Sequence, residues 1–265
     1  MIRYVNLLVV MAIALFFGAS CTSTKNEKNN DEPTPSVVAK ANIEGEAYLN
    51  YLDFNDSLSI ANSLYYSRTI NNQVEWTEVM MSLDDSSRIL KMVERIAPAG
   101  SDAVFSNHFY FKDGHKYATK QFFQESVGDS SYFVELLSYY DKDEKVKVTK
   151  RRTAQFEDAL NQEQFMVTGS HDCSSDRAFR IINQTEEFET TYQGFVDMDG
   201  FKFLVVGEDS KEGYSSALIV QQVTPLIMEL RAKESEMIGT PLVVNFQTIK
   251  EGGGSEQILI AVGKK

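Results

Sequence analysis

Three histidines and two cysteines are all the imidazole and thiol this chain of 265 residues can bring to nucleophilic or soft-metal chemistry. His108 and His115 stand seven apart in FYFKDGHKY. With Asp113-Gly114 as a two-residue turn, Lys112 faces His115, Tyr110 faces Tyr117 and His108 faces Thr119. That puts His108, Tyr110, His115, Tyr117 and Thr119 on one face and Phe109 and Phe111 on the other, the core face. The two imidazoles are then about 13 Å apart at ~3.3 Å per residue, too far for one zinc ion. His171-Asp172-Cys173 with Asp176 supplies ligand types but no second cluster to complete a set, so it reads as a linker. Gly213-Tyr214-Ser215-Ser216-Ala217 has Ala217 where a hydrolase elbow needs glycine, and reads as a loop running into a strand. Asp197-Met198-Asp199-Gly200 opens like a calcium loop, but FKFLVV then fills the liganding positions with apolar side chains, which is a hairpin. The expectation is a chain with no catalytic, cofactor-binding or metal-binding residues and no cofactor: not an enzyme.

Cys21 offers a different chemistry, covalent modification. Arg3 precedes an apolar run to Phe17, then come Gly18, Ala19 and Ser20, and Cys21 follows directly. Charged, apolar and small regions in that order make a secretory signal, and the run is shorter than the roughly twenty residues a bilayer span needs. The small triplet ending on cysteine resembles a bacterial lipobox of the looser Bacteroidetes type, with Gly18 where Leu or Val is usual. The resemblance covers residues 1–21 and implies removal of residues 1–20, acylation of the Cys21 thiol and a lipid anchor in the bacterial cell envelope, most naturally the outer membrane. Asp56-Ser57-Leu58 is similar to the O-glycosylation sequon of the same bacteria, which makes Ser57 a candidate glycan site.

The net charge is −12, and losing residues 1–20, which hold Arg3 and no acid, takes it to −13. Such a body is repelled by nucleic acid. With Cys21 acylated, Cys173 is the one thiol left, so packing alone must hold the fold. The basic run Lys145, Lys147, Lys150, Arg151 and Arg152 interrupts the acidic background, as a lysine-guarded edge strand does or as a local patch for an acidic partner would.

These residues need elements to position them. Residues 21–37, rich in Asn, Lys, Glu and Pro and poor in apolar side chains, predict a disordered tether. Leu58, Ala61, Leu64 and Tyr65 at helical spacing, behind Asn55 and Asp56 as caps, predict a helix over 57–70. From residue 73 to 152, runs rich in Val, Ile, Phe and Tyr alternate with Asp/Gly/Ser turns and predict an antiparallel meander. The polar stretch 168–176 marks a boundary. Beyond it three strands, a candidate helix near 226–236 and two more strands follow the order of an OB-type barrel. The expected fold class is mainly β with some α: a helix plus antiparallel β-meander at 38–165, then a small OB-like β-barrel at 176–265.

The function these expectations favour is a membrane-tethered, non-enzymatic binding or assembly module, anchored through Cys21 and partnered by another envelope protein or a glycan. The alternative is a carrier holding a lipid or acyl chain in an apolar cavity under the sheet. Phe109, Phe111, Phe122, Phe123, Tyr139 and Tyr140 are bulky and favour a filled space over a hollow one.

Overall fold

The computed structural model describes Gly45–Lys265, apart from Asp102, Lys211, Gly252 and Gly253. The stretches expected to be a signal peptide, a lipid anchor at Cys21 and a tether lie outside the described residues. Described residues begin with a helix, α1 (Glu46–Phe54), and continue into β1 (Ser59–Asn62), β2 (Tyr66–Ile70), β3 (Gln73–Leu83), β4 (Ile89–Ala97), β5 (Phe105–Lys112), β6 (His115–Val127), β7 (Ser130–Tyr140), β8 (Val146–Ala154) and β9 (Met166–Thr168). Helix α2 (Asp176–Asn183) leads to β10 (Thr191–Met198), β11 (Phe201–Gly207) and β12 (Ser215–Ile219). Helices α3 (Pro225–Ala232) and α4 (Glu234–Met237) then precede β13 (Leu242–Glu251) and β14 (Gly254–Lys264).

The protein is mainly β, and the fourteen strands of the described residues belong to one mixed, open sheet. Its path runs β10-β11-β12-β2-β3-β4-β5-β6-β7-β8-β9, with β14 joined to β12 and β13 to β14. Antiparallel neighbours in sequence order follow from tight turns. Asn71-Asn72, Asp113-Gly114 and Asp199-Gly200 each have both central residues at positive φ, the mirror-image turn whose twist suits a hairpin. Asp84 and Asp141 build longer turns alike, each carboxylate accepting the backbone N–H groups two and four residues on.

The helix expected over 57–70 is not formed; β1 and β2 occupy that stretch. Both pair with β3, β1 from Ser59 opposite Leu83 and β2 from Tyr66 opposite Thr77. The break between them is held by Ser63, whose N–H donates to the Val79 carbonyl and whose Oγ accepts the Val79 N–H, both at 2.8 Å. The Asn71-Asn72 turn decides the matter: it returns the chain as a hairpin, and a nearby helical spacing of four apolar residues cannot compete with a ladder closed along its whole length. Asn55 caps nothing downstream; its Oδ1 accepts the Ser57 N–H at 3.1 Å in the turn that leaves α1.

The meander of β3 to β8 is as expected in kind but carries a bulge. Lys112 faces His115, yet Phe111 faces Lys116 and Tyr110 faces Ala118, so Tyr117 is the extra residue. His108 therefore faces Lys120 and not Thr119, which turns to the opposite face with Phe109. Phe109 and Phe111 do enter the core, together with Tyr66, Val79 and Met92 of the meander, Ala178 and Ile181 of α2, Phe188, and Leu204, Leu218, Ile227, Leu230 and Leu259.

The polar stretch 168–176 lies within this same unit and is docked on the sheet. The Ser138 hydroxyl donates to the His171 carbonyl at 2.7 Å, the His171 N–H donates to Thr149 Oγ1 at 3.0 Å, and the Cys173 N–H donates to the Tyr140 hydroxyl at 3.0 Å. Past it the strands run in the order β10-β11-β12-β14-β13, with β12 and β14 parallel and α3 between β12 and β13. Thr191 at the start of β10 meets Pro241, just before β13, in an isolated bridge. Closure into a small barrel is not confirmed, because β12 also pairs with β2 and the sheet stays open. The stretch 226–236 is helical, begun by Thr224, whose side chain accepts the Ile227 N–H, and by Pro225 at the first helical position. Residues 155–166 hold only a single tight turn at Leu160–Gln162 before β9.

Candidate functional site: a lysine and tyrosine face beneath the first helix

Strand alternation brings charged side chains of β4, β5 and β6 to one face of the sheet, under α1. Lys91 and Tyr110 are cross-strand partners, and Lys120 sits opposite His108, one step further along. All converge on Asp53 of α1. Lys91 Nζ lies 2.6 Å from Asp53 Oδ1 and Lys120 Nζ 2.7 Å from Oδ2. The Tyr110 hydroxyl donates to Oδ1 at 2.9 Å. Both ammonium groups also lie near the Tyr110 ring, at 5.6 and 5.3 Å from its centre. The lysine side chains are only 11% and 15% exposed and Asp53 17%, so this charge pairing is largely out of water and its hydrogen bonds are correspondingly strong.

Protonation follows from that packing. Burial alone would raise the Asp53 carboxyl, but the hydrogen bonds and charges of Lys120 and Lys91 outweigh it and hold the group below its ordinary value. His108, its Nδ1 3.5 Å from the Tyr110 hydroxyl, is pushed down to about 3 by loss of hydration and by Lys91. Tyr110 is pushed up, by burial first and by the Asp53 charge second. The site thus presents the Lys91 and Lys120 amines and the Tyr110 hydroxyl as hydrogen-bond donors aimed at one carboxylate.

Around it lie more rings. Tyr48 and Tyr117 pack edge to face at 5.4 Å, and Tyr117 and Tyr139 at 6.0 Å. Helix α1 is held to them by the Tyr48 hydroxyl, which donates to the Phe111 carbonyl at 2.6 Å, and by the Gly45 N–H, which donates to the Tyr117 hydroxyl at 2.8 Å. Lys150 of β8 reaches Glu46 at 3.0 Å. Two hydroxyls here, those of Tyr51 and Tyr139, are buried with no hydrogen-bond partner. Each such group costs about 1–3 kcal/mol of lost hydration.

The opposite face carries a second polar network that joins the meander to the later strands. Arg177 of α2 pairs with the buried Glu94 and donates to the Tyr214 hydroxyl at 3.1 Å; Tyr214 in turn donates to Glu75, which Arg68 holds at 2.9 Å. Asn107 Nδ2 donates to the other oxygen of Glu94 at 3.0 Å.

The residues singled out from sequence fall elsewhere. Ser57 is exposed, its hydroxyl donating to Asn55 Oδ1 at 2.7 Å. His115 is exposed beside its turn. Asp172 pairs with Lys116 at 3.2 Å, and the buried Cys173 thiol is pushed up to about 12 by desolvation and the Glu94 charge. Among the described residues no three His, Cys, Asp or Glu side chains gather as a metal site would require. Ser215 and Ser216 open a strand, and Asp197 pairs with Lys202 across its hairpin. Of the basic run, Lys150, Arg151 and Arg152 have acidic partners, Arg152 the buried Glu135, and β9 covers part of their strand. Sequence reasoning missed the Asp53 cluster. Its signal is Lys91 in ILKMVERIA, a cation at an inward position of a strand with apolar neighbours on both faces.

No protein-family model matches the chain, and no curated protein or solved structure matches it. Among the described residues no helix is long and apolar enough to cross a membrane.

Proposed function

We propose that this chain is a non-enzymatic binding module of the bacterial envelope, tethered through an acylated Cys21. The observation that carries this reading is the convergence of Lys91, Lys120 and Tyr110 on one carboxylate. Donors arranged this way hold an anion. The thiol that could be a nucleophile is buried and held protonated by its raised pKa. The strand order and direction of β10 to β14 support the finer reading of an OB-like unit in the second half.

A lipid carrier needs an open apolar space, whereas the core face holds the fully buried rings of Phe109, Tyr66, Phe188 and Tyr192. The groove of about 310 Å³ at β8 and β9 is lined by Arg151, Arg152 and Glu163 beside Met166 and Val167, a polar wall ill suited to an acyl chain. Native mass spectrometry of the delipidated body expressed in bacteria separates the two. An empty body that captures an envelope protein or glycan on crosslinking is expected, and a lipid bound at stoichiometric amount overturns the proposal. Intact mass and labelling with a clickable fatty acid test Cys21; an unmodified chain removes the anchor.

A further inference from the structure

We infer that Lys91, Tyr110 and Lys120 form an oxyanion-binding site that α1 fills with its own Asp53, making the helix a tethered competitor for a small ligand that carries a carboxylate or phosphate group, such as a sugar acid. The inference rests on the binding-module reading and gives it a ligand class.

The donors belong to the sheet and the acceptor to the helix. Lys91, Tyr110 and Lys120 stand on three adjacent strands whose ladder fixes their spacing, so the array does not need α1 to exist. Both oxygens of the Asp53 carboxylate are engaged, Oδ1 by Lys91 and Tyr110 and Oδ2 by Lys120. That is the pattern an incoming carboxylate or phosphate would have to reproduce. Charge is left over: two ammonium groups meet one carboxylate, and Glu135, on the same face, is taken by Arg152. In a chain of net charge −12, a buried cationic surplus suits a ligand bearing more negative charge than one aspartate.

The helix is a short occupant, anchored by the buried Leu49 and Leu52 as well as by Asp53. It has nine residues and no side-chain cap at Gly45, too short to persist alone in water. Its seating leaves the Tyr51 and Tyr139 hydroxyls buried and unpaired, a penalty that ends when the helix lifts. Tyr139 lies opposite Ala118, which lies opposite Tyr110. With α1 displaced, its ring and hydroxyl and those of Tyr117 would border the site, a surface that can stack on a sugar and bond its hydroxyls.

The test uses the full chain with D-glucuronate and glucose 6-phosphate as probes and glucose as the neutral control. Calorimetry should show saturable binding of both anions and none of glucose. Hydrogen exchange at Glu46–Phe54 should speed up at saturation while β4 to β6 stay protected. Because a tethered competitor acts at an effective concentration near millimolar, Asp53→Asn should tighten binding by about tenfold or more, and Lys91→Gln with Lys120→Gln should abolish it. Exchange on the unaltered chain remains decisive even where a variant fails to fold. Anion probes inert toward both wild type and Asp53→Asn, binding indifferent to the lysines, or α1 more protected at saturation would each overturn the inference. Capture of a partner by crosslinking with the probes inert would overturn this site alone and leave the binding module standing.

Discussion

Tyr65 and Gln257 are 192 positions apart, and the Tyr65 N–H donates to the Gln257 Oε1 at 2.9 Å. The same amide donates through Nε2 to the Ser63 carbonyl at 2.8 Å. One buried side chain thus stands in for a peptide group, tying β14 to the break between β1 and β2 where no strand reaches. Gln257→Leu would leave two backbone groups unpaired, and a loss of about 2–4 kcal/mol is expected in urea unfolding. Gln257→Glu keeps the acceptor for Tyr65 but sets a buried carboxylate against the Ser63 carbonyl, so it too should lose stability.

His108 makes stability depend on acid. Its folded pKa of about 3 lies below the ordinary 6.5, so the unfolded chain binds the extra proton between those values. Stability is fully present above about pH 6.5 and is lost as pH falls toward 3, at up to ~1.4 kcal/mol per pH unit. Asp53, also depressed, adds its loss in the more acidic part of that range and below. Melting followed from pH 7 to pH 4.5 should show a steeper decline for wild type than for His108→Asn; parallel curves would refute the assignment.

Arg177 and Glu94 couple the two halves of the sheet. The Glu94 side chain is 3% exposed and that of Arg177 27%, so removing the cation strands a buried carboxylate. Arg177→Ala should cost about 3 kcal/mol, and the double variant Arg177→Met, Glu94→Met should recover much of it, since an apolar pair carries no desolvation penalty. A double-mutant cycle with no coupling would show the pair to be incidental.

Much of this was legible where local chemistry decides. The turns at Asp113-Gly114 and Asp199-Gly200 announced their hairpins, whereas the helix begun by Thr224-Pro225 was only one of two readings of the stretch near 226–236. Asn71-Asn72 carried the same signal in a form less specific than Asn-Gly, and the apolar spacing from Leu58 to Tyr65 drowned it. The Tyr117 bulge has no local mark in the sequence. The Asp53 site draws on lysines 38 and 67 positions further along the chain, so Lys91 in ILKMVERIA marks an inward cation while nothing local names the carboxylate it meets.

Cys173 should be inert in the folded protein. With its thiol pushed to about 12, the thiolate fraction at pH 8 is about a thousandfold below that of a free cysteine. Iodoacetamide should leave Cys173 unmodified in native protein and label it in urea. Rapid native labelling at neutral pH would contradict both the burial and the case against a thiol nucleophile.

Residues 168–176 test how far composition misleads about accessibility. Polar and short of aliphatic side chains, they suggest a site that a protease would nick first. Cleavage, however, requires an extended backbone free of its neighbours, and here the backbone is spoken for. His171 gives its N–H to Thr149 and its carbonyl to Ser138; Cys173 gives its N–H to Tyr140 and its carbonyl to Lys116 at 3.0 Å. Lys116 is itself 6% exposed, bonded to Asp172 and 4.2 Å from the Tyr140 ring centre. Proteinase K at low ratio should therefore spare this stretch while the protein is folded. Lys116→Met removes one partner and Tyr140→Phe another, and each should open the segment, raising the rate of cleavage there by about tenfold for each ~1.4 kcal/mol of local stability lost. Cleavage at residues 171–173 in wild type as fast as in the variants would mean that the docking does not hold in solution.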